Sequence, residues 1–462
     1  MEDIHVVVLA AGKGTRMKSS RPKVLHRLAG VSLIEHVLAT AAVLHPRSTV
    51  VVIGHEAARL REALAHHSEL IFVVQEPQLG TAHALLTTER LLGTATGTLV
   101  LLSGDVPLLT PKTLQMLVDR HVSTRAAATV VTAVVEDPHG YGRIVRVGEE
   151  IARIVEEKDA TSAERAIREI NSGIYAFAIE GLFDAVRSIA AENAQREYYL
   201  PDLVAIFRKR GQHVDTVTVT NPAEIQGINS RAELAALGRA AREQKTAELM
   251  AAGVTIEDPA TAYIDRGVSV GADTILHPNV SLEGTTTVGR GCEIHGGVRI
   301  VNSTIGDGVV ILDHCLITDS TVRNGASLGP FAHLRNAADV RDGAHIGNFV
   351  ELKKTTFGAR SKAGHLAYLG DATIGEKVNI GAGTITCNYD GEKKNQTVIE
   401  DGAFIGSDTQ LVAPVTVGKG AYVGSGSTIR EDVPPESLAV SAGKQRNIAD
   451  WVNQRKKKRR DS

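Results

Sequence analysis

From Val270 onward, aliphatic residues recur at every sixth position. Val270, Leu276, Leu282, Val288, Ile294 and Ile300 keep the interval without a miss. Ile305, Ile311 and Ile317 continue after a slip of one. Val322, Leu328, Leu334, Val340, Ile346 and Leu352 form a third run, and Ile399, Ile405, Leu411, Val417, Val423 and Ile429 a fourth. A period of six is neither the 3.6 of a helix nor the 2 of a half-buried strand. It is the period of a hexapeptide β-helix, in which each hexad makes one flat face and three hexads close a triangular coil. Each coil buries its aliphatic residue on the next, which accounts for a chain of 462 residues with 44 glycines for its corners and only 4% aromatics. Two stretches, 353–373 and 383–397, break the register. Both are expected to leave the coils as loops, where a repeat scaffold usually carries its function.

The first half has a different grammar. Val6–Leu9, Val50–Ile53, Ile71–Val74 and Leu99–Leu102 are short continuous apolar runs, separated by helical patterns such as 33–44 and 81–92. Buried strands alternating with helices predict a parallel sheet covered on both faces, with ligands beyond the carboxyl ends of its strands. Residues 231–252 are charged and alanine-rich and stop at Gly253, which predicts one long helix. The expected organisation is therefore a first domain over 1–230, a helical linker over 231–252, a β-helix over 253–440 and a basic tail over 441–462.

Composition excludes several functions. Lys and Arg number 51 against 53 Asp and Glu, and six of the positive charges sit in Arg455–Arg460, so the rest of the chain is net acidic. No general phosphate-backbone binder is built that way, and no nucleic-acid partner is expected. The basic run reads as a solvated, mobile tail. Three cysteines make no disulfide framework and fit a reducing compartment. No apolar run approaches the roughly 18 residues of a membrane helix, and the acidic start is unlike a signal peptide, so the expectation is cytoplasmic with no membrane insertion. Cys292-x-x-His295 and His314-Cys315 have spacings that zinc could use. Each cysteine, however, stands two residues before a hexad aliphatic, the small core position, so no metal is assigned there.

The first strand runs into Leu9-Ala10-Ala11-Gly12-Lys13-Gly14-Thr15-Arg16-Met17. A glycine-rich turn after a first strand lets backbone N–H groups approach phosphate oxygens. Met17 stands where a third glycine of G-x-G-x-x-G would be, so a dinucleotide fingerprint is not present. Lys23 follows in Arg21-Pro22-Lys23. Asp105 closes the strand 99–102, where a carboxylate can hold Mg²⁺ on a triphosphate. This loop with its Arg-Pro-Lys resembles that of the sugar-phosphate nucleotidyltransferases. Gln75-Glu76-Pro77-Gln78-Leu79-Gly80-Thr81-Ala82-His83-Ala84 is similar to their uridylyltransferase branch. In the second half, Asn348–Lys354, Ser361–Asp371 and Asn379–Gly383 leading into Thr386-Cys387-Asn388-Tyr389-Asp390-Gly391 resemble an acetyltransferase. Both halves together, over nearly the whole chain, resemble the bifunctional N-acetylglucosamine-1-phosphate uridylyltransferase/glucosamine-1-phosphate acetyltransferases.

The resemblance implies an α/β fold: an N-terminal Rossmann-like nucleotidyltransferase domain followed by a left-handed parallel β-helix of hexapeptide repeats. It implies acetyl transfer from acetyl-CoA to glucosamine 1-phosphate, then uridylyl transfer from UTP with release of pyrophosphate, in a homotrimer built through the β-helix. For the nucleotide site it implies Leu9, Ala10, Ala11, Gly12, Lys23, Gln75, Gly80 and Thr81, with Arg16 and Lys23 stabilising charge. Gly140, Glu156, Asn171 and Asn229 are implied for the sugar nucleotide, and Asp105 with Asn229 for Mg²⁺. For the second site it implies His365 as the base, with Arg335, Lys353, Tyr368 and Asn379 on glucosamine 1-phosphate. Ala382, Asn388, Tyr389, Ser407 and Ser425 are implied on acetyl-CoA. Where relatives carry a basic Ile-Ser-Arg segment this chain has Ala442, which leaves Lys444 or Arg446 for the coenzyme phosphates. Two other readings stay open at this level: a single-activity nucleotidyltransferase on a trimerising stalk, and a catalytically dead scaffold.

Overall fold

The structure is a computed structural model and describes residues 3–441, 443 and 445–459. The chain divides into two compact units, one up to Ala241 and one from Arg242 onward, so the division falls within the helix Arg231–Ala251. That helix begins where the charged pattern starts. Ser230 Oγ accepts the Glu233 N–H at 3.2 Å, which caps it.

In the first unit a central sheet runs in the order Val214–Val219, Ala128–Val134, Glu169–Ala178, Thr98–Ser103, Ile4–Leu9, Ser48–Ile53, Leu70–Val74. The four strands read from the sequence are mutually parallel. The sheet as a whole is mixed, because Glu169–Ala178 lies antiparallel to both of its neighbours. The chain passes through a hairpin of Arg143–Val147 and Glu150–Val155 and enters that strand beside the end of Ala128–Val134, where Glu169 pairs with Val134. The strand order reverses at Ile4–Leu9, with neighbours reached in both directions. The crevice beyond its carboxyl end is the place such sheets bind ligands. Two apolar layers close the faces, one around Val7, Leu101, Tyr175 and Phe177, the other around Val8, Leu102, Val131 and Ile174. The 81–92 pattern forms two short helices, Thr81–Leu86 and Glu89–Leu92, and not one.

His121 is buried on the helix Pro111–Thr124, with Nδ1 3.0 Å from Thr129 Oγ1. Burial pushes its pKa down to about 4. The unfolded chain binds this proton near pH 6.5 and the folded chain does not, so its contribution to stability is complete above about 6.5 and is lost as pH falls toward 4. We expect the first unit to lose on the order of 3 kcal/mol across that window from this residue. Denaturant titrations of His121→Gln should show a flatter stability profile between pH 6.5 and 4 than the parent chain.

The second unit is a left-handed parallel β-helix from Thr255–Ile256 to Leu438–Ala439, with coils stacked in parallel register. The hexad aliphatics form one continuous buried column, including Leu276, Ile294, Ile311, Leu328, Ile346, Ile405 and Val423. Cys292 and Cys315 sit within it, and burial raises both thiols, Cys315 to about 11. The stretch 353–373 departs from expectation: it does not leave the coil. His345–Lys353 and Lys362–Gly370 are nine-residue strands paired from end to end. Phe357, Ala363, Leu369 and Ile374 carry the core through them. An aromatic and an alanine at core positions, with five-residue steps, hid the repeat from a search for aliphatics. Only the segment after Ile385–Cys387 leaves the coil before the chain returns at Thr397–Ile399. Asp390 organises that loop by accepting the N–H groups of Glu392 and Lys393 at 2.9 and 2.8 Å. The described part of the basic tail also differs from expectation, forming a helix at Trp451–Lys458. Among the described residues no helix is long and apolar enough to cross a membrane.

Candidate active sites

The glycine-rich turn after Ile4–Leu9 opens one wall of a cavity of about 490 Å³. Leu9, Ala10, Ala11, Gly12, Lys23, Gln75, Gly80, Thr81 and Asp105 all line it. Residues as far apart in sequence as Leu9 and Asp105 converge here because the parallel strands Thr98–Ser103, Ile4–Leu9, Ser48–Ile53 and Leu70–Val74 end at the same edge of the sheet. Gly14, at φ +60°, lets the turn close on Lys23: a Cβ there would sit 2.6 Å from Lys23 Cβ. Lys23 Nζ pairs with Asp105 Oδ2 and donates to Asn229 Oδ1 at 3.0 Å. Asn229 is brought in by the Ile228 N–H, which donates to the Asp105 carbonyl at 3.0 Å. The Asn229 N–H in turn donates to Glu233 on the long helix at 2.6 Å. A carboxylate oxygen and an amide oxygen thus share one ammonium. That is a hard-oxygen donor pair of the kind a divalent cation of the Mg²⁺ or Mn²⁺ class takes, and the residues present fit such an ion.

On the facing side, Gln75 is buried and its amide donates to the Gly80 carbonyl at 2.9 Å, with His83 Nδ1 at 3.2 Å. Gly80 has φ +113°, and a Cβ on it would lie 2.6 Å from the Tyr198 carbonyl oxygen. The segment 197–200 is tied down here, with the Ala82 N–H donating to that carbonyl and the Leu200 N–H to Thr81 Oγ1. Gly80→Ala should therefore cost about 1–3 kcal/mol of stability, which chemical denaturation reads.

Glu156 and Asn171 meet around Gly142, and neither they nor Gly140 line this cavity. A Cβ on Gly142 would stand 3.2 Å from Glu156 Oε1 and 3.4 Å from Asn171 Cβ. Asn171 Oδ1 accepts from Tyr175 Oη at 2.9 Å. Burial raises the Glu156 pKa, Asp202 and Asp159 add to it, and Arg143 opposes it. Arg16 is exposed on the turn Thr15–Met17 and is not part of the cavity wall. Lys13, Gln78, Ser103 and Glu197 do line it. Lys13 and Gln78 stand inside the motifs that carry the resemblance, and Ser103, two residues before Asp105, had no signal of its own.

In the β-helix, two groups flank one corner. Asn348 and His365 are paired neighbours on adjacent coils. The pairing of Lys362 with Asn379 and of Asn379 with Phe404 places Ala382 and Ser407 in the same column. The Gly426 N–H donating to the Ser407 carbonyl extends it to Ser425. His365, Ala382, Ser407 and Ser425 therefore rise one coil at a time, about 4.8 Å per step. Asn379 is on this side of the corner. On the other side Arg335, Lys353 and Gly370 share one register, and Glu351 and Tyr368 share the one two residues back. Arg335 donates to Glu351 at 2.7 Å. Lys353 is buried with its ammonium 3.6 Å from Asp371, which also accepts from Asn388 Nδ2 at 2.7 Å. Asn388 is 3.4 Å from the Tyr368 hydroxyl. Asp371 had no role in the sequence reading. It is the acid that orders Lys353 and Asn388, and its place one coil beyond Lys353 was the available signal. Tyr389 is exposed at the root of the loop, bridged to Lys394. Arg446 is exposed. Lys444 and Ala442 lie outside the described residues.

A crevice at the strand ends of a mixed α/β sheet, followed by hexapeptide coils with His365 in a polar column at one corner, defines a transferase with two separate candidate sites. Comparison with known proteins agrees. A family model described as a MobA-like NTP transferase domain matches residues 6–176. A GMPPB C-terminal domain model matches 259–385, and a bacterial transferase hexapeptide model 396–431. The bifunctional protein GlmU of Geobacter metallireducens is 47% identical, over 98% of this chain and 98% of that protein. The same-named proteins of Shouchella clausii and Koribacter versatilis are 44% and 47% identical over 98% of this chain and 99% and 97% of theirs. The chain belongs to the GlmU family of bifunctional transferases. Membership implies a divalent metal ion in the chemistry of the first half.

Proposed function

We propose that this chain makes UDP-N-acetylglucosamine in two steps on its two units: acetyl transfer from acetyl-CoA to glucosamine 1-phosphate, then uridylyl transfer from UTP to N-acetylglucosamine 1-phosphate. The observation that carries the reading is the pair of constellations on one chain: Lys23, Asp105 and Asn229 joined beside the glycine turn, and His365 one coil below Ala382.

In the acetyl step the amine of glucosamine 1-phosphate attacks the thioester carbonyl. His365 takes the amine proton, the Ala382 N–H donates to the oxygen that gains charge, and the coenzyme thiol leaves. Arg335 and Lys353 hold the sugar phosphate, with Tyr368 and Asn379 on its hydroxyls. Asn388, Tyr389, Ser407 and Ser425 line the path of acetyl-CoA, whose phosphates meet Lys444 or Arg446. A face of a β-helix has no deep cleft, so a neighbouring copy in a homotrimer completes this site.

In the uridylyl step a phosphate oxygen of the sugar attacks the α-phosphorus of UTP and pyrophosphate departs. No covalent residue is needed, and the chain supplies alignment and charge balance. Gln75, Gly80 and Thr81 hold the uracil. Arg16 and Lys23 offset the negative charge gained on the phosphoryl oxygens. Glu156, Asn171 and Gly140 hold the acetylated sugar. Asp105 and Asn229 hold Mg²⁺, which supplies charge neutralisation on the triphosphate when bound. The enzyme works in the cytoplasm, where its nucleotide and acetyl-CoA are.

Separate assays on the full chain test this: thiol release with glucosamine 1-phosphate and acetyl-CoA, and pyrophosphate release with UTP and N-acetylglucosamine 1-phosphate. Sedimentation should show three copies. Pyrophosphate release without thiol release returns the β-helix to the role of a stalk, and neither activity leaves a scaffold.

A further inference from the structure

The Cys292-x-x-His295 spacing divides between the inside and the outside of the coil. The Cys292 thiol is buried and donates to the Gly306 carbonyl at 3.0 Å. His295, just past the core residue Ile294, faces outward and meets His277 from the preceding coil, the ring centroids 4.6 Å apart. Both rings turn Nε2 to one carboxylate oxygen, Glu293 Oε1, at 3.3 Å from His277 and 3.2 Å from His295. The three ligand atoms lie within 4.8 Å of one another. A tetrahedral zinc site with bonds of about 2.0–2.1 Å has neighbouring donor atoms about 3.3 Å apart, so two of the three edges already have the required length. The opposite nitrogen of each ring faces a further acid: His277 Nδ1 is 3.0 Å from Glu257 and His295 Nδ1 is 3.6 Å from Asp313. A carboxylate behind each imidazole is the arrangement that fixes the orientation of metal-binding histidines. The frame is rigid, because Leu276 and Ile294, the residues before the two histidines, are register partners and fully buried.

We propose that His277, Glu293 and His295 bind one divalent ion of the zinc class across two consecutive coils, with water completing the coordination. Two imidazoles and one carboxylate favour zinc, cobalt or nickel over magnesium, so this site and the nucleotide site select different metals. The ion binds the folded coils and not the unfolded chain, and it therefore raises the thermal midpoint.

The test uses the full chain, free of added histidines and stripped of metal, titrated with Co²⁺ in millimolar Mg²⁺. One equivalent per chain should give the visible absorption of low-symmetry cobalt, and Zn²⁺ should displace it and raise the thermal midpoint. His295→Gln should abolish the band. Glu257→Gln, which keeps all three ligands, should weaken binding about 10–100-fold. His66→Gln, in the separate group Glu35, His66 and His67, should leave the band unchanged. An unchanged thermal midpoint without added metal in each variant shows that the chain has folded. A missing band in the parent chain, or one that survives in the His277→Gln/His295→Gln double variant, overturns the assignment.

Discussion

Asp105→Asn is expected to lower uridylyl transfer by at least about 10³-fold while acetyl transfer stays within about twofold. The side chain keeps its shape and loses its charge, and three effects follow from that one change. The Lys23 ammonium, now ion-paired with Asp105 and bonded to Asn229, is left with neutral oxygens. The cation of the triphosphate loses its only anionic protein ligand in this reading. The positive charge that should act on the phosphoryl oxygens is no longer held at a fixed point. A 10³-fold loss corresponds to about 4 kcal/mol, within reach of removing a preorganised charge. Asp105 lies in the first unit and His365 in the second, so one variant can separate the steps. Pyrophosphate and thiol release measured on the same preparation give both rates, and pyrophosphate release within tenfold of the parent would refute the role of Asp105.

The complementary variant is His365→Ala, for which acetyl transfer should fall about 10²–10⁴-fold, the range for loss of a positioned general base, with uridylyl transfer unchanged. The imidazole is exposed in the single chain, so its removal should leave the thermal midpoint of the β-helix unaltered. That separates a chemical role from a structural one. High imidazole in the buffer should restore part of the rate. An equal fall in both activities, or a retained acetyl rate, rules out His365 as the base.

The sites were legible to different depths. Lys23 and Asp105 could be paired because a basic residue after a glycine turn and an acid at a strand end both point to the same crevice of a parallel sheet. Asn229, far along the chain, came only from resemblance, and its geometry depends on the Asp105 carbonyl and on Glu233 of the long helix. Asp371 was passed over because an acid after a β-strand is common, and only stacking shows that Lys353 needs it. The coil at 353–373 hides its repeat for a similar reason. Its core is kept by Phe357 and Ala363, whose fit depends on their neighbours above and below.

What the chain determined by itself was periodic or local: the six-residue repeat, the apolar strand runs, the stop at Gly253, the glycine turn. Each follows from hydrophobic burial or backbone sterics acting over a few residues. Tertiary structure alone decided the antiparallel strand in the first sheet, the meeting of Lys23 with Asn229, the column from His365 to Ser425, and the facing imidazoles of His277 and His295. These depend on which distant residues share a rung or a strand end. That is fixed by the sum of packing over the whole unit, which no short window of sequence contains.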